Sequence, residues 1–322
     1  MEYRRLGNSD LEISRIGFGA WASGGGGWAF SLGPQDDAES IAAIRRAVEL
    51  GINWIDTAPL YGLGHSEEVV AEAIAGLPER PYVFTKCGMP CDETGRIIHC
   101  LKRESIRREC EESLRRLRVD VLDLYQIHWN KPAEEIQEAV EAVAELQHEG
   151  KVRYVGVSNF TVQELAMARR IVDIISLQPP YSLLDREIEN EILPFCLANE
   201  IGVIIYSPMK SGLLSGKMSR ERVEAMSPDD LRRSKPEFQE PQLSRNLLLA
   251  EKLREIGSRH GRSTAEVAVA WTLHNRLVDA AIVGMRRPEH VDGIIHAADL
   301  KLTEHELSEI ESMLAESQAV NR

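Results

Sequence analysis

The chain has 322 residues, 43% hydrophobic and 28% charged, an ordinary globular balance with room for one large domain or two small ones. Its 51 Asp and Glu outnumber its 38 Lys and Arg, and the net charge of -13 argues against nucleic acid or an anionic membrane as partner. The opening MEYRRLGNSD lacks an apolar signal-peptide core, no apolar run nears the ~18 residues that span a bilayer, and the 5 cysteines are an odd set, so reduced thiols in a cytoplasm are expected.

Tyr3–Leu6 and Leu11–Ile16 read as a β-hairpin turned at Gly7-Asn8-Ser9-Asp10. Strands and helices then alternate. Ile16–Gly19 is a strand, followed by a loop with Gly24–Gly27 and a helix over Asp36–Leu50. Ile52, Trp54 and Ile55 form a short apolar run suited to a strand buried on both faces. Helical spacing resumes at Val69, Val70, Ala73 and Ile74, after a polar start at Ser66, Glu67 and Glu68. Tyr82–Lys86 pairs with the helix Lys102–Arg118, and Val121–His128 with Ala133–Glu149. Val152–Asn159 precedes a helix opened by a capping box, Thr161 to Glu164, and Ile174–Gln178 precedes Ile188–Asn199. Gly202–Ser207 starts a seventh unit whose helix, Ser263–Asn275, comes only after a long insertion. Ala281–Gly284 is the eighth strand, trailed by Pro288–His296 and a last helix over Thr303–Ser317.

Eight strand–helix repeats without a break in composition predict an α/β fold, a (β/α)8 TIM barrel with an N-terminal hairpin and extra helices, running as one domain over residues 1–322. The rival, a doubly wound nucleotide-binding fold, would use Gly17-x-Gly19-x-x-Ala22. No helix starts there, and the acidic residue expected about 20 positions on is missing, so that match is discounted. Cys87, Cys91, His99 and Cys100 match no common zinc spacing, and no metal is expected.

The strands repeatedly finish in a hydrogen-bonding group. The second gives Asp56 and then Tyr61, the third Lys86 and the fourth His128. The fifth gives Ser158 and Asn159, the sixth Gln178, the seventh Tyr206 and Ser207, the eighth Gly284 and then Arg286. Each alone is commonly a turn, packing or solvated residue. In a barrel, however, these ends converge on one rim, where active sites are built. A phenol with a pKa near 10 is a poor acid at neutral pH; an ammonium within ~4–6 Å favours its phenolate and is expected to make Tyr61 more acidic. Asp56 would keep Lys86 charged, and His128 could orient a carbonyl oxygen or share the proton. Such a proton donor lacks an electron source, so a hydride cofactor is expected. The loop Ser207–Lys217, with its glycines and two lysines, could cradle a pyrophosphate, and the segment 209–262 carries 12 Lys and Arg against 8 Asp and Glu. Arg286 and Arg287 suit a further phosphate, and Tyr206 offers a face on which a nicotinamide could stack.

The stretches GINWIDTAPLYGLGHSE, VFTKCG, DLYQIHW, GKVRYVGVSNF, IIYSPMKSGLLSGK and IVGMRRPEHV, with the strand end at Gln178, resemble the aldo-keto reductase superfamily over nearly the whole chain. The resemblance implies a tetrad of Asp56, Tyr61, Lys86 and His128, with Tyr61 as general acid. It also implies NADPH extended across the rim. Ser158, Asn159 and Gln178 would hold the carboxamide, Tyr206 would stack on the nicotinamide, and Ser207, Leu213, Ser215 and Lys217 would line the pyrophosphate. Gly19, Trp21, Asp56, Pro208, Met209, Lys210, Arg233, Gly284 and His290 complete the expected cofactor set, and Arg286 would meet a 2′-phosphate. Gly293 and Ile294 stand where the family usually has an acidic residue and Asn against the adenine, and His290 where Gln or Arg is usual. These departures bear on cofactor affinity and on the preference for NADPH, and not on the tetrad.

The expected protein is thus an NADPH-dependent reductase of aldehydes or ketones, monomeric or a small homo-oligomer. Trp21, Trp28 and Trp129, with Tyr61 and His128, are its candidate substrate pocket, and the loops 20–33, 87–101 and 218–245 would set specificity. Two alternatives stand beside it: a Schiff-base aldolase using Lys86, and a cofactor-bound sensor like potassium-channel β subunits.

Overall fold

The structure is a computed structural model that describes residues 1–92, 94, 96–227 and 230–319; positions 93, 95, 228 and 229 of the two later specificity loops lie outside the described residues. Strands β1 (Tyr3–Arg5) and β2 (Glu12–Ser14) form the antiparallel hairpin. The strands β3 (Ile16–Gly19), β4 (Trp54–Asp56), β5 (Tyr82–Cys87), β6 (Leu122–Ile127), β7 (Val152–Ser158), β8 (Ile174–Gln178), β9 (Gly202–Ile205) and β10 (Ala280–Gly284) run parallel. They close in chain order, β10 pairing back onto β3.

Around them lie α1 (Asp37–Glu49), α2 (His65–Ile74), α3 (Arg103–Leu117), α4 (Ile136–His148), α5 (Val162–Ala168) and α6 (Ile192–Ala198), one after each of β3 to β8. The insertion after β9 holds α7 (Arg220–Glu224) and α8 (Gln242–His260) before α9 (Thr264–His274). The chain then adds α10 (Pro288–Asp292) and α11 (Glu304–Ala319) after β10. Side-chain caps set the helix starts. Asp36 accepts from the Ala38 and Glu39 amides, and Thr161–Glu164 and Ser263–Glu266 close reciprocal boxes. The expected starts of α4 and α6 are replaced by 3-10 turns at Ala133–Glu135 and Glu187–Glu189, so both helices are shorter. The 19-residue α8, which the sequence reading leaves unassigned, buries Leu243, Leu249, Ala250, Leu253 and Ile256 at helical spacing.

Strand periodicity builds the interior in layers. Trp54, Phe84, Leu124, Ile175, Ile204 and Ile282 share one apolar cluster with Leu6, Leu11 and Ile13 of the hairpin. Their outward neighbours, such as Ile55, Val83 and Tyr125, belong to the larger cluster under the helices. The hairpin forms the floor: Trp54 Nε1 donates to Ser14 O at 2.8 Å, and a Cβ on Gly7 would lie 2.2 Å from Ile175 O. Two residues beyond Trp54, Phe84 and Leu124, on the same inner face, come Asp56, Lys86 and Gln126. The interior therefore changes from apolar to polar at the carboxyl ends of the strands.

Candidate active site

Lys86 is the centre of this polar layer and is 0% exposed. Its Nζ donates to Asp56 Oδ2 at 2.6 Å, to the Thr57 carbonyl at 2.9 Å and to the Tyr61 hydroxyl at 3.2 Å, which uses all three ammonium protons. Asp56 Oδ1 accepts from Gln178 Nε2 at 2.8 Å and from Gln126 Nε2 at 3.4 Å. Tyr61 reaches the group from the loop after β4, its ring edge-on to His128 with centroids 5.9 Å apart. The four expected tetrad residues thus meet in one place. Gln126 and Thr57 belong to the same network and are missed by reading strand ends alone. Gln126 lies one residue inside the end of β6, and the signal for it was the period-two step from Leu124.

The charges settle as follows. Burial pushes the Lys86 amine down, but Asp56, helped by Tyr61, more than offsets this and keeps it an ammonium. A Schiff-base lysine must be neutral, so this environment opposes that alternative. Burial pushes the Tyr61 hydroxyl above its ordinary value; Lys86 pulls it down and Asp56 pushes it up. The expectation of an acidified phenol is therefore corrected. The ammonium is already matched by a carboxylate, so the pair offers the phenol little net positive field. Tyr61 holds its proton. Burial, with Lys86 and His99 nearby, drives His128 well below the usual imidazole range, so it is neutral.

A second group lies beside the first. Ser158 Oγ donates to Gln178 O at 2.7 Å, Asn159 Nδ2 donates to the His128 carbonyl at 3.0 Å, and the Tyr206 hydroxyl donates to Asn159 Oδ1 at 2.9 Å. Asn159 and, further on, Ser207, Lys210 and Ser211 adopt positive φ, unusual for residues other than glycine. Ser215 Oγ turns back to Gly212 O at 2.6 Å, Lys217 is exposed, Pro208 and Leu213 are buried, and Met209 packs against the core. Lys210 is paired with Asp185 at 3.0 Å, and Arg233 donates to Met226 O at 2.6 Å. Arg286 is tethered to Gln35 Oε1 at 2.6 Å and to the Leu32 and Pro34 carbonyls, while its amide donates to His290 Nδ1 at 3.2 Å. Arg287 is exposed, and Ile294 is in the core. The two terminal glycines differ. A Cβ on Gly19 would meet Ile282 at 2.9 Å, whereas at Gly284 nothing lies within 4 Å. Open space at Gly284, exposed cations at Lys217 and Arg287 and the polar cluster of Ser158, Asn159 and Gln178 suit an extended anionic dinucleotide with an amide at one end.

The mouth is aromatic. Trp28, Ala58, Leu60 and Met89 are buried together, with Trp21, Phe30, Tyr61, Ile97 and Trp129 against them. Trp21 and Trp28 lie 6.2 and 6.3 Å from the Tyr61 ring. Both indole N–H groups are spent on backbone, at Phe30 O and Gly25 O, so these walls present apolar faces.

Comparison with known proteins agrees with this fold. The family model described as "Aldo/keto reductase family" matches residues 15–315. An aldo-keto reductase of Bacillus subtilis (strain 168), YhdN, is 36% identical over 316 residues, 98% of this chain and 94% of the relative. The NADH-specific methylglyoxal reductase of Escherichia coli (strain K12) is 34% identical over 93% of this chain and 94% of its own length. The solved glycerol dehydrogenase AKR11B4 from Gluconobacter oxydans superposes with a TM-score of 0.88 at 36% identity, over 98% of this chain and 95% of that one. The holo form of the aldo-keto reductase AKR11C1 from Bacillus halodurans gives 0.78 at 29% identity, over 97% and 96%. No helix among the described residues is long and apolar enough to cross a membrane. With its closed parallel barrel and a family match across nearly its whole length, the chain belongs to the aldo/keto reductase family, carbonyl oxidoreductases that work with a nicotinamide cofactor.

Proposed function

We propose that this protein reduces aldehydes or ketones to alcohols with NADPH, Tyr61 donating the proton. One observation carries the reading: the Lys86 amine bridges Asp56 Oδ2 at 2.6 Å and the Tyr61 hydroxyl at 3.2 Å inside the rim of the barrel. A bound nicotinamide would supply the hydride. Tyr61, protonated across the neutral range, donates to the carbonyl oxygen as negative charge develops there. Lys86 steadies the phenolate left behind, and Asp56 keeps Lys86 charged and aimed. Neutral His128 donates a hydrogen bond to the same oxygen without adding charge. Ser158, Asn159 and Gln178 would hold the carboxamide, and Tyr206 would stack on the ring. Trp21, Trp28 and Trp129 exclude water.

Arg286 and Arg287 support NADPH, because a 2′-phosphate adds charge that these cations would meet. The Escherichia coli relative is named NADH-specific, so the two cofactors are compared directly. Tyr61→Phe should lose turnover about 10²–10⁴-fold while quenching of tryptophan fluorescence still reports NADPH binding. An active Tyr61→Phe enzyme removes the proton role; a kcat/KM for NADH equal to or above that for NADPH removes the cofactor preference.

A further inference from the structure

The turn Gly88–Met89 joins β5, which carries Lys86, to the apolar wall of the mouth, where Met89 packs beside Trp28 and Leu60. It has little slack. Gly88 has φ +91°, and a Cβ there would lie 2.6 Å from Leu101 Cδ2. The preceding carbonyl, Cys87 O, accepts the His128 amide at 3.0 Å.

A carboxylate outside the barrel holds this turn. Glu109 of α3 is 3% exposed. Its Oε2 accepts the Gly88 amide at 3.0 Å, and Ser105 Oγ donates to Oε1 at 3.2 Å. Among the described residues it has no ion-pair partner. The titratable and charged groups facing it are Cys87 of β5, Tyr125 of β6 with Cys110 behind it, Cys91 from the following loop, and Arg108 on its own helix. Both cysteines of that set next to the turn, Cys87 and Cys91, are pushed up by burial, so neither brings charge near neutral pH. Burial pushes the Glu109 carboxyl up to about 7, outweighing the Gly88 and Ser105 hydrogen bonds and the more distant Arg108, which pull it down. As a carboxylate it accepts charge-assisted hydrogen bonds from the turn; as an acid it accepts ordinary ones, about half as strong.

We propose that Glu109 is a positioning residue: its ionisation tightens the Gly88–Met89 turn and so sets how well the pocket wall receives substrate, without touching the proton machinery of Asp56, Lys86 and Tyr61. The inference rests on the reductase reading for its kinetic arm only. With 4-nitrobenzaldehyde as substrate, KM should rise about fivefold as pH falls through 7, with kcat changing less. Glu109→Gln, which keeps an acceptor but cannot ionise, should hold the wild-type low-pH KM at every pH. A KM that is flat in the wild type, or that bends alike in both proteins, overturns the proposal. The second arm needs no turnover. Amide deuterium exchange in the peptide 87–101, corrected for intrinsic pH dependence, should show protection growing through neutral pH in the wild type and constant in Glu109→Gln. Matching profiles overturn the proposal. A protein that reduces no aldehyde yet shows the exchange difference sinks the reductase reading alone.

Discussion

At the residue scale, the site is built on a charge that is cancelled as soon as it is made. Lys86 and Asp56 are buried together, and each fills the other's hydrogen-bonding capacity with help from Thr57, Gln126 and Gln178. Burial raises the Tyr61 hydroxyl, and an ammonium 3.2 Å away that is already paired with Asp56 does not offset it. Glu109 has no such partner, and this has a consequence for stability. Its folded pKa is raised from the ordinary 4.5 to about 7. Between those values the unfolded chain has lost the proton that the folded chain keeps. Stability against global unfolding therefore falls as pH rises through this window, by about 3 kcal/mol in total if nothing else titrates, because releasing the carboxylate to water outweighs the stronger hydrogen bonds it gives the turn while it stays buried. Glu109→Gln should remove that fall. Urea midpoints measured at about pH 5 and about pH 8 should converge for the variant and separate for the wild type; parallel behaviour would contradict the assignment. Asp56, Lys86 and His128 were legible in the sequence because each closes an apolar strand run, and Tyr61 because it follows Asp56 in the loop after the same strand. Glu109 was not, since it is one acid among several on a charged helix, and only the packing of α3 on β5 singles it out.

At the element scale, the caps and breaks were readable and the loops were not. Thr161–Glu164 and Ser263–Glu266 announce their helices in four letters, and both boxes form. The helix α8 carried its own periodic signal, but the glycine- and proline-bearing stretch before it reads as one long insertion. The loop of Tyr61 depends on a contact no local pattern reveals. Gly62, at φ +62°, lies against Gly24 so closely that a Cβ would fall 2.2 Å from Gly24 O. The loops after β3 and β4 thus meet backbone to backbone, and Tyr61 is placed by that meeting. Gly62→Ala must shift one loop, both for space and for its left-handed backbone. It should lower kcat/KM about tenfold or more with the melting temperature changing by only a few degrees. Unchanged kinetics would show that Tyr61 takes its position from elsewhere.

At the scale of the whole molecule, the barrel followed from eight alternations, because strands buried on both faces leave short apolar runs that recur. The place of the hairpin could not be read, since nothing in its sequence says which end of a barrel it closes. In the structure Leu6, Leu11 and Ile13 are fully buried against Trp54 and its neighbours. Leu11→Ala should cost about 2–5 kcal/mol by urea unfolding. A loss under about 1 kcal/mol would mean that the hairpin is laid on the barrel without supporting it.

That floor also shapes the traffic. With its interior filled by Trp54, Phe84 and Leu124 above the hairpin, the barrel is open only at its carboxyl rim, so two molecules that react there share one way in and one way out. Whichever rests deeper cannot depart past the other. The alcohol should leave before the spent dinucleotide, and product-inhibition patterns should read as a queue with a fixed order rather than as two independent exits.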